Sequence, residues 1–127
     1  MTDQVRILVV DDEQVILDSA KKILAPEGVS VLTAPDAETA LSVLTDKAPH
    51  ILITDLVLPG ASGMKLLESA LKHRPGLIVI LTTGYSTVEN AVAALKDGAF
   101  EFLPKRLTCD ELLACVGRAR QALESRL

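Results

Sequence analysis

The fold class this sequence predicts is α/β: a doubly wound parallel sheet of five strand–helix units, (βα)5. Two observations carry the prediction. Short strand-like runs alternate five times with longer stretches whose apolar residues recur at three- and four-residue spacing. Runs such as Val5–Val10, Ile51–Thr54 and Leu77–Thr82 are nearly continuous in apolar character, as strands buried on both faces of a parallel sheet are. Right-handed crossovers then place helices on both sides of that sheet.

The elements follow in order. Val5–Val10 is the first strand, and Val15, Ile16, Ala20, Ile23 and Leu24 mark the helix after it, which stops near Gly28. Ser30–Ala34 is the second strand, closed by Pro35. Its helix carries Ala37, Ala40, Leu41 and Leu44 and breaks before Pro49. Ile51–Thr54 is the third, and the helix of Met64, Leu67 and Leu71 ends before Pro75. Leu77–Thr82 is the fourth. Ser86 with Glu89 forms a capping box for the helix of Val88, Ala91, Val92 and Leu95, which stops near Gly98. Glu101–Leu103 is the fifth, and Thr108 with Glu111 caps the last helix, with Leu112, Val116, Ala119 and Leu123 on its apolar face.

Composition bounds the function classes. A chain of 127 residues fits one domain, spanning residues 1–127, with one core. Aromatics make up 2% and Trp is absent, so the core is aliphatic, and the low aromatic count argues against a base-stacking nucleic-acid platform. A net charge of −4 argues against direct contact with a nucleic-acid backbone. No apolar stretch reaches the length of a membrane span and the N-terminus has no signal-peptide pattern, so the expected location is cytoplasmic, away from membranes. Cys109 and Cys115 have no metal or redox spacing. They lie six positions apart on one helix, facing different ways, and read as two reduced thiols. His50 and His73 read as surface residues in turn regions. There is no internal repeat beyond the strand–helix unit and no low-complexity tract.

The chemistry sits at the strand ends. Asp11 and Asp12, followed by Glu13, close the first run; Asp55 closes the third; Thr83 closes the fourth; Lys105 follows the fifth. Open parallel sheets bind ligands outside the carboxyl ends of their strands. Three carboxylates, a hydroxyl and an ammonium should therefore converge on one edge. At ~4 Å and an effective dielectric of about 20, each carboxylate pair costs roughly 4 kcal/mol. Such a cluster makes sense around a hard divalent cation, and oxygen-only ligands favour Mg²⁺. Read singly, Asp11-Asp12-Glu13 is equally well explained as acids favouring a helix N-terminus, and Asp55 as a turn residue. The Leu58-Pro59 and Gly63 that follow Asp55 define a shaped loop that a plain turn does not need.

The order acidic pair, Asp-Leu-x-Leu-Pro-x-x-x-Gly, Thr-Gly, Lys resembles the receiver domain of two-component response regulators, from Arg6 to about Arg120. The stretch Ala94–Lys105 is most similar to receivers of the nitrogen-regulation group, which feed ATP-driven transcription activators. The resemblance implies a flavodoxin-like sheet with strand order 2-1-3-4-5. It implies a phosphorylation-driven switch, not a dedicated enzyme, that takes its phosphoryl group from a sensor histidine kinase or phosphotransfer protein. Asp55 would be the phosphoacceptor, forming an acyl phosphate. Asp12, Asp55 and the backbone carbonyl of Val57 would bind Mg²⁺ directly, and Asp11 through a coordinated water. Lys105 and Thr83 would each pair with a phosphoryl oxygen, Gly84 would let its N–H come close, and Phe102 would be the switch aromatic. Read from the residues alone, Phe102 is equally a core aromatic. The output, transcription by this reading, would be relayed through an effector domain or a homodimer on the face of the fourth helix, fifth strand and fifth helix. The ending Arg118–Leu127 continues the helical pattern, as a linker helix or a simple helical terminus would.

One departure stands out. The family usually has Lys-Pro joined by a cis peptide, whereas Arg106 follows Lys105 here. A cis bond before a non-proline costs about 2.5–4 kcal/mol, so a trans peptide is expected. Two rival readings fail. Thr82–Thr87 is similar to a flavodoxin phosphate loop but follows the fourth strand instead of the first, with few aromatics to flank a flavin. A haloacid-dehalogenase-type phosphatase needs a second Asp two residues after its nucleophile, and position 57 is Val.

Overall fold

A computed structural model describes residues 4–84 and 88–125, apart from the side chains of Val88 and Asn90. Among these residues the main sheet has five parallel strands: β1 (Arg6–Val10), β2 (Ser30–Ala34), β3 (Ile51–Asp55), β4 (Ile78–Thr83) and β5 (Glu101–Pro104). Their order is β2-β1-β3-β4-β5, and β3 lies in register with both neighbours, Ile53 facing Val9 and Ile80. The α-helices are α1 (Gln14–Leu24), α2 (Ala37–Lys47), α3 (Gly63–His73), α4 (Val88–Lys96) and α5 (Cys109–Glu124).

The sheet divides the core in two because successive side chains of a strand point to opposite faces. Leu8, Val10, Leu52, Val79 and Leu81 face α2, α3 and α4, burying Leu44, Leu67, Ala70 and Ala94. Ile7, Val9, Ile51, Ile53, Ile78 and Ile80 face α1 and α5, burying Leu17, Leu24, Leu112, Cys115 and Val116. The fold expected from the sequence is the fold found.

Several details differ from expectation. A short 3-10 turn (Ala25–Glu27) precedes Gly28, which takes a left-handed φ of 74°. Val57–Leu58 and Ala61–Ser62 form a small antiparallel ribbon between β3 and α3. Its Pro59-Gly60 corner places Gly60 at φ 72°, the sign a proline–glycine turn requires. The helix faces are rotated from the sequence pattern in places. Val15 is exposed and Leu17 buried in α1, Leu41 is exposed in α2, and Leu66 is buried in α3. In α4, Val92 and Leu95 point outward and Ala94 is fully buried. A three-and-four pattern in a short helix admits more than one apolar stripe, and the packing against the sheet selects one.

His50 is not a free surface residue. It sits at the bend before β3, half-buried, and its Nδ1 accepts the Arg6 N–H at 3.0 Å. His73 is exposed, but it is the last residue of α3 and not part of a turn. The Thr108–Glu111 capping box is present in full on α5. The Ser86–Glu89 box lies outside the described residues. Cys109 and Cys115 are both unpaired, the first exposed and the second buried. Burial, reinforced by the Glu101 carboxylate, pushes the Cys115 thiol up to about 12. Among the described residues no helix is long and apolar enough to cross a membrane.

Candidate functional site

Each candidate side chain is delivered by the C-terminal end of a strand. Asp11 directly follows β1, where its N–H donates to Ala34 O at 3.2 Å and its Oδ1 accepts the Glu13 N–H at 2.8 Å. Asp55 is the last residue of β3. Its Oδ1 accepts the Val57 N–H at 3.1 Å, which bends the chain away into the ribbon. Thr83 ends β4 and is buried. Lys105 follows β5, and its N–H donates to the Thr83 carbonyl at 2.8 Å, fixing the neighbouring strand ends together.

The side chains meet above the sheet edge. One oxygen from each of Asp11, Asp12 and Asp55 lies within 4.8 Å of the others. The Lys105 ammonium reaches Asp55 Oδ2 at 3.0 Å and Asp11 Oδ1 at 3.4 Å, and it also contacts Glu13 Oε2. Asp11 and Asp55 are buried, while Asp12 is exposed. Asp12, Glu13, Asp55, Val57, Thr83, Gly84 and Lys105 line a cleft of about 280 Å³. The sequence-predicted residues Asp11, Asp12, Asp55, Thr83 and Lys105 thus come together, with Val57 on the rim. Phe102 does not join them. It lies half-buried against the α2–α3–α4 side of the core.

The electrostatics follow from this crowding. Burial raises the Asp11 carboxyl above its ordinary range, against the lowering effect of the Glu13 N–H and of Lys105. The hydrogen bond from Lys105 lowers Glu13. Burial works to lower Lys105, but its hydrogen bonds to Glu13 and Asp55 and the charges of Asp11 and Asp55 outweigh it and raise the group, so the ammonium is held firmly protonated. Three clustered carboxylates against one nearby ammonium leave an excess of negative charge. An all-oxygen donor set of that charge fits a hard divalent cation such as Mg²⁺.

Two features of the site were not fully read from the sequence. Gly63 opens α3, and its N–H donates to the Leu56 carbonyl at 2.6 Å. A Cβ at Gly63 would strike the Asp55 carbonyl oxygen and lie 2.7 Å from Leu56 Cα. The loop glycine is therefore a packing requirement of the residue that carries the carboxylate. Glu13, read as an acid favouring the first helix, instead reaches Lys105; a third consecutive acid was the available signal. At Gly84 a Cβ would meet no protein atom within 4 Å, so crowding gives no reason for glycine there. No cis peptide occurs among the described residues, so Lys105–Arg106 is trans as expected.

The family model for the response regulator receiver domain matches residues 7–117. The nitrogen assimilation regulatory protein NtrX of Azorhizobium caulinodans is 36% identical over 122 residues, 94% of this chain and 27% of that protein. The regulatory protein AtoC of Escherichia coli is 37% identical over 121 residues, 95% of this chain and 26% of that protein. This chain therefore spans about a quarter of the length of such relatives. A CheY-like receiver domain from Methanospirillum hungatei superimposes with a TM-score of 0.93 at 36% identity, covering 98% of this chain and all of that one.

Proposed function

The chain belongs to the response regulator receiver domains, and from that premise we propose that Asp55 is its phosphoacceptor, phosphorylated by a sensor histidine kinase or phosphotransfer protein. One observation carries the reading. Asp55 ends β3 with its Oδ2 3.0 Å from the Lys105 ammonium and with Asp11 and Asp12 beside it, all on the sheet edge where parallel folds bind ligands.

The chain's own residues divide the work. A carboxylate oxygen of Asp55 attacks phosphorus, the bond to the donor's leaving atom breaks, and an acyl phosphate results. Lys105 pairs with a phosphoryl oxygen, and the Thr83 hydroxyl donates to another. Asp11, Asp12, Asp55 and the Val57 carbonyl would hold Mg²⁺, which when bound offsets charge on the transferring group. Phosphotransfer of this kind needs positioning and electrostatics above all, and both can be supplied by the domain itself, including slow hydrolysis. The side chain of Val57 is 63% exposed and offers nothing polar to orient an attacking water, so the acyl phosphate should persist well beyond seconds.

One relative is named a nitrogen assimilation regulatory protein and another a DNA-binding transcriptional regulator, which supports an output in transcription, and their greater length supports an effector domain joined beyond α5. The domain itself would be residues 1–127, with α5 leading into a linker. The readout face would be α4, β5 and α5, used by an effector domain or in a homodimer.

Incubation with acetyl phosphate and Mg²⁺ tests the assignment. It should add one hydroxylamine-labile phosphoryl group, and Asp55→Asn should take none. Hydroxylamine-stable labelling on Ser or Thr would count against it.

A further inference from the structure

We propose that Glu13 is a positioning residue that latches Lys105 in the resting state and must release it when a phosphoryl group arrives. The inference rests on Asp55 being the phosphoacceptor.

An ammonium has three N–H donors and no acceptor. Three carboxylates compete for those of Lys105, and the contact with Glu13 is closer than those with Asp55 at 3.0 Å and Asp11 at 3.4 Å. Glu13 differs from the other two in kind. Its side chain is 58% exposed against 2% and 5% for Asp11 and Asp55. It is also not one of the three carboxylates clustered tightly enough to share a cation. Its backbone is fixed, because it is the N-cap residue of α1 and its N–H is held by Asp11 Oδ1. Only the side chain is free to swing, and Glu13 lines the same cleft as Asp55.

An acyl phosphate at Asp55 brings new negative oxygens to the same ammonium. Glu13 then opposes it in two ways: it occupies a donor that the phosphoryl group needs, and it adds a like charge to the lining of the cleft. The Glu13 carboxylate is the exposed partner of the pair, and ion pairs open to solvent are weak, so the latch can yield. The buried Asp11 and Asp55 cannot step aside in this way.

Glu13→Gln keeps the shape and removes the charge. Amide NMR titration with beryllofluoride and Mg²⁺, the beryllofluoride standing in for the phosphoryl group, should give about three- to fivefold tighter binding than wild type, the size expected for losing an ion pair with one exposed partner. The same change made in Lys105→Met should alter binding less than twofold, because the latch has lost its partner. Raising salt from about 0.05 M to about 0.5 M should narrow the gap between wild type and Glu13→Gln, as screening weakens the pair. Equal or weaker binding by Glu13→Gln overturns the latch. So does an undiminished gain without Lys105, a gap indifferent to salt, or a matching gain for Mg²⁺ alone, which would place the effect on the metal. A wild-type chain that shows no beryllofluoride response around Asp55 would instead remove the phosphoacceptor assignment itself.

Discussion

At Gly63 a hydrogen atom stands where any side chain would collide with the backbone that holds Asp55. The Gly63 N–H bonds the Leu56 carbonyl at 2.6 Å, and a Cβ would sit 2.7 Å from Leu56 Cα. The obstacle is backbone on both sides, so rotamer change gives no relief. Gly63→Ala should therefore destabilise the fold by about 2 kcal/mol or more, as overpacking does, and should displace the carboxylate. Urea unfolding and acetyl phosphate labelling together check this: normal stability with normal labelling would show that the loop absorbs a methyl group. Asp11 poses the opposite case. Its carboxyl is raised by burial, so its charged form is less favourable folded than unfolded. A raised carboxylate opposes folding at neutral pH, and the penalty fades as pH falls through the raised value. Asp11→Asn keeps the Oδ1 that accepts the Glu13 N–H. It should raise the metal-free melting temperature by a few degrees, about 1 kcal/mol for a domain of this size, while weakening Mg²⁺ binding. A lower melting temperature would show that the Lys105 pair outweighs burial. A stabilising substitution that harms the site is what a residue kept for its chemistry should give.

Among the elements, α5 is tied down by contacts that α4 does not show among the described residues. A full capping box starts α5, and Arg118 grips Glu101 of β5 through two hydrogen bonds at 2.5 and 2.8 Å. Thr108→Ala should cost about 1 kcal/mol through the lost cap, read as a lower urea midpoint. The Arg118 bond lowers the Glu101 carboxyl, against the opposing effect of burial. A lowered carboxylate contributes stability above its unfolded pKa, about 4.3, and the contribution is lost as pH falls below that through the depressed folded value. Wild type and Arg118→Gln should therefore differ in urea midpoint at pH 7 and converge near pH 3. A difference that persists in acid would mean packing by the Arg118 stem, not the ion pair, is responsible. The helix α4, by contrast, buries Ala94 and leaves Val92 and Leu95 outward. This contrast also marks what the sequence could reveal. Strand identity and order of function-bearing ends were legible because buried parallel strands are continuous apolar runs with polar stops, so Asp11, Asp55, Thr83 and Lys105 announced themselves by position. The inward stripe of α4 was not legible, because alanine and valine at helical spacing fit several rotations. Nor was the Glu13–Lys105 contact, which depends on how the start of α1 and the end of β5 meet in space.

For the whole molecule, a phosphoryl charge added at Asp55, as proposed, must be read at a distance from the sheet edge. A local change becomes global only through an element with two packings of similar energy. The helix α4 is the candidate: it begins five residues after Thr83, and among its described side chains the buried one is the small Ala94. Phe102 is half-buried on the neighbouring strand, against the same side of the core as Ala94. Thr83 moving towards a phosphoryl oxygen would leave space that Phe102 can fill. Energetics limit how complete the switch is. Moving a population from 1:99 to 99:1 needs about 5.5 kcal/mol of preference. A charge-assisted hydrogen bond from Thr83 contributes about 1.5–3 kcal/mol. Lys105 would contribute less than a new bond of that kind, because it already has Glu13 and Asp55 as partners and would exchange contacts instead of gaining them where it had none. Partial activation is therefore expected, with both packings populated in each state. Adding beryllofluoride and Mg²⁺ should shift amide resonances or alter hydrogen exchange in α4 and from Gly98 to Leu103, and Thr83→Ala should suppress those distant changes while leaving changes near Asp55. Responses confined to the ribbon between Leu56 and Gly63 would refute a switch through α4. Distant responses that survive Thr83→Ala would leave α4 as the moving element but take the coupling away from Thr83.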